Sequence, residues 1–455
     1  MACPNHPGFL PGMLTFLALM AGVVSAQTPV SHKVFPDLLR LSEENLQDTQ
    51  ALTNALFAEE RAVEDLQVRR AGRLPNLSSF GQYHYQREEY DLPLGDQDAG
   101  RFIYGLTFKQ PVFHWGALRA NHNIGRILLR DAKRNKRILQ EIVRSHLQRR
   151  ALGYYIASRQ HDFAMLNLRH YGRLLELAEE GLEAGDVKSS ELETSRQNYR
   201  NATKHQISVL TGKLNAQYQL MQDFAITEEH LGMIPEAVPE GIEIDLETWR
   251  LRFQQFITTG YKQHPEYHAV LSNIQVQAES VKVAKAANRP LVDLVVGANQ
   301  DDTSYNFSEL DDRFRQIYYA GVRVSWNIFD GQATKARVRT AKANLREAET
   351  RKRFIARKLE QDANQILHEL QNSEARLHSL RETVTEKEGK HSRMEASHEA
   401  GQIPEHELAN SAFDLAAHQH LLLVEYARSI SHILHAEHLT SLKVDLQDKL
   451  PLDEK

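Results

Sequence analysis

Histidine supplies the side chains best suited to metal binding or proton transfer, with 22 in 455 residues. Five crowd the C-terminal part, His418, His420, His432, His435 and His438. His435 and His438 stand three apart, a spacing that puts two side chains on one helical face within reach of one ion. A metal site needs further ligands, and no carboxylate or cysteine pattern completes one here. Surface histidine is therefore the reading, with no metal and no cofactor. The only cysteine is Cys3. No nucleophile–base motif, glycine-rich phosphate loop or pair of catalytic acids stands out, so the chain reads as a non-enzyme.

Charge is the other chemistry on offer. The formal net charge is −5 with 25% charged residues, which gives no global field for nucleic acid. Local asymmetry is strong. Residues 119–150 hold ten bases against Asp131 and Glu141, and residues 335–358 hold ten against Glu347 and Glu349. Further on the sign reverses around two short breaks, with Glu176, Glu179, Glu180, Glu183, Asp186 and Glu191, then Glu395, Glu399, Glu405 and Glu407. Such acids could simply line a solvated helix, or gather into a self-repelling surface that welcomes a basic partner.

The elements that would position these acids come in two copies. Residues 102–116 and 318–331 alternate apolar and polar side chains, as a strand does when it divides an oily phase from water. Phe102, Tyr104, Leu106 and Phe108 share one parity, as do Tyr318, Ala320, Val322, Val324 and Trp326. Thr107 and Lys109, then Arg323 and Ser325, share the other. The copies are 216 residues apart, as Gly105 and Gly321, Phe113 and Phe329, and Gly185 and Gly401 show. That period is too long for a solenoid and marks tandem duplication of a domain-sized unit.

In order, residues 1–26 read as a signal peptide, with an apolar run from Met13 to Val24 and small residues at Val24 and Ala26 before the cut. Its leading segment carries only the amino terminus and His6 as charge. A first repeat spans 27–225: a helix over Leu38–Gly72, a strand over Asn76–Tyr90, an acidic loop over 87–101, the second strand, and a proline-free helix from Gly116 to about Glu180. That helix of some 65 residues would reach about 95 Å and needs a helix alongside it. It breaks at 181–186, and Ser189 or Ser190 can cap a return helix. A linker, 226–248, leads to a second repeat, 249–442. There the strands lie within 291–329, the acidic loop over 301–316, and a long helical hairpin over 333–442 turns at 400–404. Residues 443–455 are a tail. Mean hydropathy is −0.51, so a large dry core is not expected. No window is apolar enough for a membrane helix, so any crossing must be made by strands.

Two copies of helix, β-hairpin and very long helical hairpin resemble the TolC-like outer membrane efflux proteins. The matching residues are Gln110-Pro111-Val112-Phe113 with Trp115-Gly116, Asn327-Ile328-Phe329-Asp330-Gly331, the proline before each first strand, and the turns Ala184-Gly185-x-Val187…Glu191-Leu192 and Ala400-Gly401-x-Ile403…Glu407-Leu408. The resemblance implies an α+β fold in which a homotrimer closes one twelve-stranded outer-membrane barrel, four strands per protomer, continued by a coiled-coil tunnel through the periplasm. It also implies an adaptor and an inner-membrane transporter docking at the far end, as in a tripartite efflux pump or type I secretion system. On that basis Gly181, Ala184, Gly185, Val187, Glu191, Ala400, Gly401, Ile403, Pro404 and Glu407 are the expected docking tip. Tyr83, Tyr85, Tyr104, Phe108, Tyr318, Val322, Val324 and Trp326 are the expected lipid contacts, most of them an aromatic girdle. Phe80, of opposite parity, is expected inside. The second copy departs from the family pattern at Asn327, where proline is usual, and at Gln332, where glycine is usual. The competing reading is a periplasmic coiled-coil scaffold or adhesin without a pore.

Overall fold

A computed structural model describes residues 30–36, 49–89, 97–224, 226–232, 234, 237–239, 241–306 and 313–442. The expected signal peptide, the C-terminal tail, residues 38–48 of the first expected helix and the centres of both acidic loops lie outside the described residues. The elements run α1 (Gln50–Ala71), β1 (Asn76–Glu88), β2 (Gln97–Phe113), α2 (Ala117–Ala184), α3 (Ser189–Phe224), α4 (Leu246–Thr258), α5 (Pro265–Ala286), β3 (Leu291–Asn306), β4 (Arg313–Ser325), α6 (Ala333–Glu399) and α7 (Glu405–Ser441). The fold is α+β and TolC-like.

Length follows from local chemistry. Neither long helix contains a proline, so the hydrogen-bond ladder has nothing to break it and runs for 68 residues in α2 and 67 in α6, about 100 Å each at 1.5 Å per residue. Each lies antiparallel to its return helix, α3 on α2 and α7 on α6, while α1, α5 and α7 also pack on α2. Along α6 the positions turned inward, Leu359, Ala363, Ile366, Leu370 and Leu377, step by three, four and seven as a coiled-coil seam requires.

Contrary to the hydropathy argument, a contiguous core exists. It gathers at mid-length of the long helices, where Leu147 and Leu152 of α2, Leu220 of α3, Phe253 of α4, Ile366 of α6 and Ile430 of α7 are all buried. The segment expected as a linker joins it: Ile226, Val238 and Ile242 are buried. Tyr426 Oη donates to the Pro239 carbonyl (2.8 Å) and accepts from Ile242 N–H (2.9 Å). Average hydropathy missed this core because it is short against 100 Å of solvated coiled coil.

The four strands form one antiparallel sheet in the order β1-β2-β3-β4. β2, β3 and β4 extend into the stretches expected as loops. Asp301 and Asp302, placed in the loop by their charge, belong to β3, with Asp301 opposite Arg315 and Asp302 opposite Phe314. Arg101 of β2 explains this, since its Nε donates to Asp301 Oδ1 at 2.8 Å and offsets the acid inside the ladder. Trp326 falls one residue past β4, and its indole N–H meets the Asn288 carbonyl at 3.4 Å. Helix α4 begins at Leu246, earlier than expected, because Asp245 caps it by accepting from Thr248 N–H at 3.1 Å.

Candidate functional site

The sheet has two chemically different faces. On one lie Leu77, Tyr83 and Tyr85 of β1, Tyr104, Leu106 and Phe108 of β2, Leu294 and Val296 of β3, and Tyr318, Val322 and Val324 of β4, all at least partly exposed in the single chain. Tyr318 is 76% and Val322 67% accessible, and with their neighbours they make a contiguous apolar patch of the kind that marks an interaction surface. The pairing register puts these residues in rows, with Leu77 opposite Phe108, Phe108 opposite Val296 and Val296 opposite Ala320. With 13 to 17 residues each, the strands exceed the nine to eleven or so that a tilted strand needs to cross a bilayer.

The opposite face is polar and internally tied. Lys109 Nζ and His114 Nε2 meet the two oxygens of buried Asp293 at 2.9 and 2.8 Å. The Tyr319 ring crosses Gly297 of β3 to bring its hydroxyl within 3.2 Å of Thr107 Oγ1 on β2. Gly297 has to be glycine for this, because a Cβ there would stand 2.5 Å from the ring. Phe80 lies on this face as expected, with its ring beside Gly105, and is partly exposed at 44%.

Each β-to-α corner uses two consecutive left-handed residues, Trp115 (φ 53) and Gly116 (φ 82), then Gly331 (φ 63) and Gln332 (φ 70). The departure at Gln332 therefore leaves the corner geometry intact. Left-handed backbone costs a non-glycine residue about 1–2 kcal/mol. At Trp115 that cost is offset by an indole hydrogen bond to the Pro290 carbonyl (2.7 Å), by Arg289 over the ring and by an edge contact with Phe113.

At the other end of the helices the two turns have the same hydrogen bonds. Gly185 N–H donates to the Leu182 carbonyl and Asp186 N–H to that of Gly181, matched by Gly401 to His398 and Gln402 to Ser397. Gly185 (φ 81) and Gly401 (φ 73) take the left-handed conformation that reverses the chain. Gly181 has a separate reason, since a Cβ there would lie 2.6 Å from Val187 Cγ2. Ala184, Ala400 and Pro404 are exposed, and Val187 and Ile403 half-buried. Ser189 and Ser190 are the first residues of α3 rather than its cap, because the Lys188 carbonyl accepts from Leu192 N–H. Glu191, Glu405 and Glu407 occupy first helical turns, where the helix dipole favours acids.

The C-terminal histidines do not converge. His418 contacts its own helix through the Asp414 carbonyl (2.7 Å), His420 stacks on Phe163 at 4.5 Å, and His432 meets Glu369 at 3.2 Å. Burial, then Arg149, lowers the pKa of His435. Burial, followed by Arg149, His146, His435 and His264, lowers that of His438 to about 4. Among the described residues no three His, Cys, Asp or Glu side chains stand together as a metal site would require. Likewise, no described helix is long and apolar enough to cross a membrane.

The family model for outer membrane efflux proteins matches residues 41–223 and 262–433. The chain belongs to that family. Among solved structures the CmeC outer membrane channel of Campylobacter jejuni superposes with a TM-score of 0.70 at 14% identity, covering 92% of this chain and 87% of CmeC. The outer-membrane channel OprN gives 0.68 at 16% identity, with 91% and 92% covered. VceC from Vibrio cholerae gives 0.66 at 15% identity, with 90% and 97% covered. At such identities the likeness is one of fold. No curated protein sequence matches significantly. Sequence reasoning missed the Tyr319–Gly297–Thr107 tie and the Asp293 clasp, which join residues roughly 180 to 210 positions apart and leave no periodic signal.

Proposed function

We propose that this efflux-family chain is a passive outer-membrane duct, three copies of which close a twelve-stranded barrel and join their helices into a periplasmic tunnel serving a tripartite efflux pump or a type I secretion machine. The observation that carries the reading is the sheet itself. Four strands cannot close alone, so β1 and β4 each present an unpaired backbone edge while the middle of one face presents a contiguous apolar band. A ring of copies satisfies both edges and leaves the apolar face to lipid. The lipid contacts are then Tyr83, Tyr85, Tyr104, Phe108, Tyr318, Val322 and Val324, with Trp326 at the inner rim. The two glycine turns, about 100 Å of helix away, form the periplasmic tip that an adaptor and an inner-membrane transporter engage. The duct needs no cofactor and performs no covalent chemistry.

The test is topological. Cysteine placed at Ser304, near the β3–β4 loop, reacts with an impermeant thiol reagent on intact cells, whereas cysteine at Ser190, at the start of α3 beside the helical turn, reacts only after the outer membrane is opened. Equal labelling of both sites in intact cells refutes the arrangement.

A further inference from the structure

The internal duplication dictates how one copy pairs with the next. The β1–β2 ladder joins residues whose numbers sum to 185, Asn76 with Lys109 through Glu88 with Gln97, and the β3–β4 ladder joins those summing to 616, Leu291 with Ser325 through Thr303 with Arg313. Offsets of 215 for the first strand (Asn76 to Leu291) and 216 for the second (Gly105 to Gly321) turn the one register into the other without a slip. The two hairpins are thus equivalent rung by rung, and β2–β3 is the junction between them. In a closed ring the junction from β4 of one copy to β1 of the next is the same junction seen again. It is antiparallel like the first, because the strands alternate in direction.

We infer that β4 pairs with β1 of a second copy of this chain in the β2–β3 register, so that Val324 faces Gly81, Arg323 faces Gln82 and Val322 faces Tyr83. The pairing follows from Phe108 facing Val296, Thr107 facing Gly297 and Leu106 facing Ala298 within the chain. It rests on the oligomeric barrel proposed above. Parity supports it independently. Val324, Val322, Gly81 and Tyr83 all belong to the apolar face, and a slip of one residue would drive Arg323 onto it.

The two junctions differ in what reinforces them. The internal one has the Lys109–Asp293–His114 clasp and the Arg101–Asp301 pair. The corresponding positions at the seam are Ser325, Ser78 and Asp330, then Ile317 and Gln86. Asp330 is occupied within its own chain, accepting from Thr334 N–H at 2.8 Å. The seam between copies therefore lacks the counterparts of these two clasps.

Disulfide trapping in a Cys3→Ser background tests this. Directly opposed residues have Cα atoms about 4.5–5.5 Å apart, within disulfide reach, whereas a two-residue offset along the strand exceeds it. Gln82→Cys with Arg323→Cys, and separately Gly81→Cys with Val324→Cys, should cross-link into covalent oligomers on oxidation. Gln82→Cys with Ser325→Cys should not, and each single-cysteine variant should give intact, uncross-linked oligomers. Intact oligomers that cross-link only through the offset pair, or through none, overturn the register alone. Absence of oligomers from the parent and the single-cysteine variants overturns the barrel reading itself.

Discussion

Placing arginine on one side or the other of a single strand separates the two faces of the sheet energetically. Leu106 is one residue from Gly105, the midpoint of the 17-residue β2, and is 53% exposed between Ser79 and Ala298. At about 3.4 Å per residue and a strand tilt near 40°, it lies within about 3 Å of mid-depth. Arginine there should cost about 2–4 kcal/mol per protomer, a factor of about 30 to 900, and about 6–12 kcal/mol for three copies in one barrel. Thr107→Arg, at the same depth on the polar face, gives up only the contact with Tyr319 Oη at 3.2 Å, worth about 1 kcal/mol. Heat-modifiable oligomer in outer-membrane fractions, measured on unheated gels, should nearly vanish for Leu106→Arg and persist for Thr107→Arg. Equal yields, or a greater loss for Thr107→Arg, would refute the assignment of faces.

Gly185→Val combined with Gly401→Val forces side chains into backbone at φ 81 and 73, costing about 1–2 kcal/mol each; it should leave oligomers in the membrane but abolish export, and export at the parental rate would remove the tip from the mechanism. Acid should weaken the waist of the molecule. Burial holds His264 and His438 near a pKa of about 4 against 6.5 for the free side chain. Above pH 6.5 both states are neutral and neither residue matters, whereas from 6.5 down to 4 the unfolded chain takes up protons that the folded chain refuses, so stability falls. Each site accounts for on the order of 3 kcal/mol, less than additively because the two sense each other. Purified protein should melt lower at pH 5 than at pH 7.5, and His438→Asn should shrink that difference. A pH-independent melting temperature would contradict the burial of these imidazoles.

Much of the architecture was legible in the chain because it is built from periodic and repeated elements. Period-two alternation in residues 102–108 and 318–324 named the apolar face, since a strand has no other way to divide two media. Freedom from proline over 117–184 set the length of α2, and the recurrence of Gly185 at Gly401 marked both turns, because reversing a helix takes a left-handed residue. Tertiary structure alone decided where distant polar groups meet. Asp301 read as loop by its charge and became strand once Arg101 reached it diagonally from the neighbouring strand, and Asp293 became a buried anchor through Lys109 and His114. The span 226–248 read as a tether by its prolines, yet its isoleucines and Val238 complete the core through Tyr426. Local sequence encodes backbone preference and the face a side chain takes. Which charge neutralises which, and which apolar residues share a core, depends on the packing of segments some 200 residues apart, and only the folded chain supplies that.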